Sequence, residues 1–132
     1  MPIWARIFLV VGSLALLLAV AMGAFGAHLL KKTLTPEALT VYETAVHYHF
    51  YHALGLLAVG LLVLHWPATV LLRWAGVLMT VGLILFCGSL YVLSLSGVRW
   101  LGVMTPIGGL AFIMAWLLLA VAVWRTSPAT LR

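Results

Sequence analysis

IFLVVGSLALLLAVAMGAFGAHLL, residues 7–30, carries no ionisable side chain until His28. A helix of that length crosses a hydrocarbon core about 30 Å thick. The rest of the chain repeats the message. Of 132 residues, 66% are hydrophobic and 7% are charged, whereas soluble domains need roughly a quarter charged residues for a wet surface. The reading is an all-α integral membrane protein, a four-helix bundle with a partly polar interfacial start to its second helix.

The length leaves room for one membrane domain over 1–132 and for no soluble domain, with spans at about 7–30, 45–64, 74–95 and 106–124. The net charge of +5 is scattered at segment ends, where Lys and Arg meet headgroups. There is no long basic run, Walker-type loop or zinc-type cysteine spacing, so nothing points to nucleic acid as a partner. The single cysteine, Cys87, rules out an intramolecular disulfide. Arg6 before an apolar stretch resembles a secretory signal, with Ala21, Gly23 and Ala24 as a nominal cleavage site. The stretch is too long for a signal core, and a retained first helix is expected.

Boundaries follow from caps and breakers. Thr35-Pro36-Glu37 reads as N-cap, first helical position and acidic first turn. The helix it opens is amphipathic or aromatic in its first half and aliphatic from Ala53 to Leu64, which allows a break near Thr44. His65-Trp66-Pro67 closes it, and Trp66 and Trp74 suit an aromatic belt. Ser96-Gly97 turns the chain after the third span. Thr105-Pro106 reads as a second cap followed by proline, and a short polar tail, Arg125 to Arg132, ends the chain. With four spans, Arg6, Arg73, Arg125, Arg132 and the terminal amine share one side, against Lys31, Lys32 and Arg99 on the other. The bias is slight and favours cytoplasmic termini.

Helix direction gathers the polar residues. The first span ends at His28, and the second enters with Glu43, His47, Tyr48, His49 and His52. The third leaves through Ser89 and Tyr91, and the fourth begins at Thr105. All belong to the end opposite the termini. Ionisable groups in membrane segments are costly unless paired, wet or turned inward. On the second helix Tyr48 and His52 share a face with Gly55, Glu43, His47 and Tyr51 form another stripe, and Tyr42 and His49 a third. The histidines therefore cannot all aim at one point. Gly23-Ala24-Phe25-Gly26-Ala27 allows close helix approach. Gly88-Ser89 is expected to be a helix contact, with Ser89 bonding across helices, and Thr105 to Gly109 a capped start with a tight packing surface. Ser89 beside a histidine would imitate a nucleophile–base pair, but the chain has no Asp and no nucleophile elbow.

Gly23-Ala24-Phe25-Gly26-Ala27-His28, Tyr48-x-x-x-His52, Phe86-Cys87-Gly88-Ser89-Leu90-Tyr91 and Thr105-Pro106-Ile107-Gly108-Gly109 with Trp116 resemble the YgdD-like family. These are small four-span proteins of the bacterial inner (plasma) membrane, of unknown function. The resemblance covers nearly the whole chain and implies a multi-pass bundle without supplying an activity. Its pattern contains His28, Tyr48, His52, Ser89, Tyr91 and Thr105. His47 and His49 fall outside it, and Cys87 stands where the motif often reads Ser.

Three functional readings stay open at this point. The first is a non-enzymatic protein whose polar end, His28, Glu43, Tyr48, His52, Ser89, Tyr91 and Thr105, binds a lipid headgroup, a small ligand or a partner helix. Its partners would be membrane lipids, and a second copy or another membrane protein, and it needs no cofactor. The second is a metal- or haem-binding redox protein with His28 and His52 as ligands. The third is a channel or transporter, which would have to be oligomeric because so thin a bundle offers little lumen.

Overall fold

A computed structural model of the chain describes residues 1–126, so the end of the expected polar tail, Arg132 included, lies outside the described residues. Five helices make four spans: α1 (Ile3–His28), α2 (Pro36–His65), α3 (Val70–Gly82) continued by α4 (Gly88–Ser96), and α5 (Met104–Arg125). Four stretches are long and apolar enough to cross a membrane: Ile3–Lys32, Pro36–His65, Val70–Ser96 and Arg99–Arg125. The described residues contain no strand, and the all-α membrane architecture holds.

The start of α2 is the one its sequence announces. Thr35 is extended, and its hydroxyl accepts from the Ala38 amide at 3.2 Å, with Pro36 opening the helix. No break occurs near Thr44: α2 is continuous to His65. The Thr40 and Thr44 hydroxyls bond back to the carbonyls four residues earlier, so these polar side chains are satisfied within the helix. Gly97, at φ 72°, closes α4 in the left-handed conformation that glycine adopts without penalty.

Thr105 does not cap α5. A 3₁₀ turn, Arg99–Val103, runs straight into the helix, which begins at Met104 with helical dihedrals already in place. An N-cap needs an extended residue; here the Thr105 hydroxyl is bonded elsewhere. Pro106 is tolerated because first-turn amides have no intrahelical acceptor.

α1 and α2 pack as an antiparallel pair. On α1 the buried residues Ala5, Phe8, Gly12, Ala15, Ala19 and Gly26, completed by half-buried Met22, alternate steps of three and four. On α2 Tyr42, Ala45, His49, His52, Leu56, Val59 and Val63 do the same. These stripes face the bundle interior, and the small residues on and beside them let the two backbones approach. A methyl on Gly12 would press into Leu57, and one on Gly60 into Leu9. The other helices use phenylalanine against glycine: Phe8 fills the notch at Gly76, Phe112 the notch at Gly82, and Gly108 rests on the Phe86 backbone. α2 contacts α1, α3 and α4, and α5 packs mainly on α3.

Between α3 and α4 the chain makes one wide turn, Leu83–Cys87, in which the Gly88 amide bonds back five residues to the Leu83 carbonyl. Such π-turns re-aim the side chains that follow them.

Candidate functional site

The polar residues do collect at the end opposite the termini, but as separate pairs facing different interfaces. His49 and His52 lie about 60° apart on the helix wheel, enough to turn one ring toward α1 and α4 and the other toward α5. His49 is buried, and its Nδ1 meets the Tyr91 hydroxyl at 3.0 Å. Tyr91 packs edge-on against Tyr42, whose hydroxyl donates to the Met22 carbonyl of α1.

His52 has a different setting. Its Nδ1 lies 2.7 Å from the Tyr48 carbonyl. A carbonyl only accepts, so Nδ1 carries the proton. The ring lies almost parallel to Phe112, centroids 3.4 Å apart, and Tyr48 stacks beside it on Phe86. Trp116 adds a tilted contact. This is an aromatic stack between α2, α5 and the π-turn.

Ser89 and Thr105 bond across α4 and α5, their hydroxyl oxygens 2.8 Å apart. Ser89 also gives its one proton to the Phe86 carbonyl in the π-turn at 3.0 Å, which leaves Thr105 as donor in the pair. The expected cross-helix bond of Ser89 is present, and the nucleophile–base pairing with a histidine is not. Gly88 corrects a second expectation. A side chain there would start in open space, with no atom of a neighbouring helix within 4 Å of its Cβ.

His28 and Glu43 take no part. Both are exposed, and Glu43 lies with His47 on the rim of a shallow recess beside Gly23 and Gly26. His47 stacks on Tyr51 outside the bundle. Among the described residues no three His, Cys, Asp or Glu side chains come together to hold a metal. His52 is instead a packed ring, so His52→Ala is expected to lower stability by roughly 1–3 kcal/mol. Thermal unfolding in detergent checks this against Glu43→Gln, which should leave stability unchanged.

The space that does open at this site is a groove of about 430 Å³ between α1 and the third span. Leu14 and Leu18 of α1 face Leu83 and Ile84 across it, and Gly88 leaves its wall hollow. Its polar groups are already engaged: Thr80 bonds to the Gly76 carbonyl, and His49 and Tyr91 bond to each other. On α1 the lining runs from Val11 to Met22, roughly 16 Å at 1.5 Å per residue. The site residues missed in the sequence are thus His49 and Gly88. The signal for His49 was the alternating three–four spacing from Tyr42 to Val63.

Residues 22–109 match the family model described as "Protein of unknown function (DUF423)". The chain belongs to the DUF423 family. It is 42% identical over 120 residues to a UPF0382 membrane protein of Staphylococcus haemolyticus, covering 91% of this chain and 97% of that one. It is 44% identical over 117 residues to the UPF0382 membrane protein YwdK of Bacillus subtilis, covering 89% and 95%. No solved structure matches. The four apolar spans and these bacterial relatives make the chain a multi-pass bacterial membrane protein in contact with lipid. The matched region holds both cross-helix pairs, His49 with Tyr91 and Ser89 with Thr105.

Proposed function

We propose that this member of the family is a non-enzymatic lipid-binding protein that holds one acyl chain, or a similar amphiphile, in the groove between α1 and the third span. The observation that carries the reading is the groove itself. It is apolar along its length, open at the side, and centred on the middle of α1. In a bilayer such a volume is filled by hydrocarbon, and its size falls within the range of roughly 300–1,000 Å³ seen for ligand pockets. At about 16 Å the groove covers roughly half of a hydrocarbon core about 30 Å thick, across the middle of the span where acyl-chain ends lie. His49 and Tyr91 form the polar wall, where a hydroxyl or carbonyl of the ligand can share their hydrogen bond.

Of the residues read from the sequence, Tyr91 belongs to this site. Tyr48, His52, Ser89 and Thr105 hold the helices that shape it, and His28 and Glu43 lie outside it. The proposal includes a single membrane domain over residues 1–132, the YgdD-like kinship and cytoplasmic termini.

Photo-crosslinking tests it. The protein is reconstituted with a phospholipid whose acyl chain carries a diazirine, illuminated, and mapped by peptide mass spectrometry. Label is expected on Leu14, Leu18 and Ile84 well above Leu110 and Ile113, which are exposed on the outer face of α5. Equal labelling of the two sets would mean that the groove is ordinary lipid-facing surface.

A further inference from the structure

The lining of the groove limits which polar group its occupant can carry. Four of the lining side chains bear a proton on nitrogen, oxygen or sulfur: His49, Thr80, Cys87 and Tyr91. Among the described residues that line it there is no Lys, Arg, Asp or Glu. Thr80 gives its proton to the Gly76 carbonyl at 2.9 Å. The protons of His49 and Tyr91 belong to a short relay that runs from the third span through α2 to α1.

The His49 ring stands between two partners. Its Nδ1 is 3.0 Å from the Tyr91 hydroxyl, and the ring also reaches the Ala15 carbonyl of α1. A neutral imidazole has one N–H, and a carbonyl only accepts. Both contacts are made together when that N–H points to Ala15 and Nδ1 accepts from the tyrosine. The Tyr91 proton is then committed to His49, while the phenol oxygen keeps lone pairs for a further donor. The weak S–H of Cys87 is the one side-chain donor left in the lining.

Depth adds a second constraint. Tyr91 lies five residues before Ser96, the end of α4, and Met22 lies six before His28, the end of α1. At 1.5 Å per residue the polar wall sits roughly 8–9 Å inside the helix ends. A phosphate drawn to that depth would be an unpaired charge in apolar surroundings, which penalise it heavily.

With an amphiphile in the groove, as proposed above, we propose that its preferred occupant is a neutral lipid alcohol. The hydroxyl donates to the Tyr91 oxygen, and the hydrocarbon chain runs along α1 toward Val11. Ester and ketone carbonyls only accept, so they find no strong donor at this wall. A phospholipid lends the groove a chain end and brings no polar group to it.

Competition in a bilayer tests the preference. Full-length protein is reconstituted with the diazirine phospholipid, and hexadecanol, hexadecyl methyl ether or hexadecyl acetate is added at matched mole fractions. Labelling of Leu14, Leu18 and Ile84 is read by peptide mass spectrometry. Hexadecanol is expected to displace the label at about a fivefold lower mole fraction than either capped compound, the worth of one hydrogen bond. Tyr91→Phe removes the accepting oxygen and should bring the three competitors together. Its melting temperature is measured alongside, and if the variant does not fold, the comparison in the parent protein still decides. Equal displacement by all three in the parent would overturn the hydroxyl preference and leave groove occupancy standing. An alcohol preference retained in folded Tyr91→Phe would overturn the role of Tyr91. Parent label no stronger on these residues than on Leu110 and Ile113 would remove the occupancy on which the preference rests.

Discussion

Leucine in place of Gly108 is expected to detach α5 from the third span and leave the protein unfolded or aggregated on extraction. A side chain at Gly108 would begin on top of the Phe86 amide and Cα. Backbone in a hydrogen-bonded π-turn cannot swing aside as a flexible side chain can. Overpacking of this kind costs on the order of 3 kcal/mol or more. The loss would spread, because Phe86 also supports the Tyr48 ring and Gly108 is three residues from the Ser89–Thr105 bond. Even Gly108→Ala should be destabilising, although alanine is the better helix former by about 1 kcal/mol. Thermal unfolding by circular dichroism in a mild detergent checks both. A Gly108→Ala protein as stable as the parent would show that the contact between α5 and the π-turn is looser than described.

Gly88→Leu should do the reverse. Gly88 has helical dihedrals, φ −59° and ψ −46°, and open space where its side chain would start. Leucine there improves helix propensity by up to about 1 kcal/mol, and its side chain enters the groove beside Cys87 and Tyr91. Stability is expected to hold or rise while acyl-chain labelling of Leu14, Leu18 and Ile84 falls to the level of exposed lipid-facing residues. Few substitutions separate fold from ligand so cleanly. A stable Gly88→Leu protein that labels like the parent would place the bound chain elsewhere.

Four spans are legible because membrane segments announce themselves by what they lack: charge is missing over lengths that match a bilayer. The arrangement inside the bundle is harder to read for the same reason. Hydrophobic periodicity needs polar contrast, and α1 is apolar all round, with Leu14, Leu17 and Leu18 exposed beside buried Ala15 and Ala19. Its seam is written in residue size. Small residues recur from Ala5 to Gly26 at coiled-coil spacing, a pattern that hydropathy does not register.

Two Thr-Pro pairs show how context decides a local signal. Thr35 follows a non-helical turn, is extended and caps α2. Thr105 follows a 3₁₀ turn that is already helical, and its hydroxyl goes to Ser89. The π-turn left no mark in the sequence. No proline announces it, yet it supplies the carbonyl that Ser89 takes and, with hollow Gly88 after it, shapes the groove. The gathering of polar residues at one end was readable from helix direction alone. Their division into pairs depended on a 60° difference between His49 and His52, and on which neighbour each ring met.

Native mass spectrometry on protein extracted gently from its host membrane tests the lipid-binding claim most directly. The parent chain is predicted to carry a fixed extra mass of an amphiphile that survives mild activation, and Gly88→Leu to fly without it. A bare parent chain, or the same retained mass in both proteins, would contradict the assignment of the groove as a binding site.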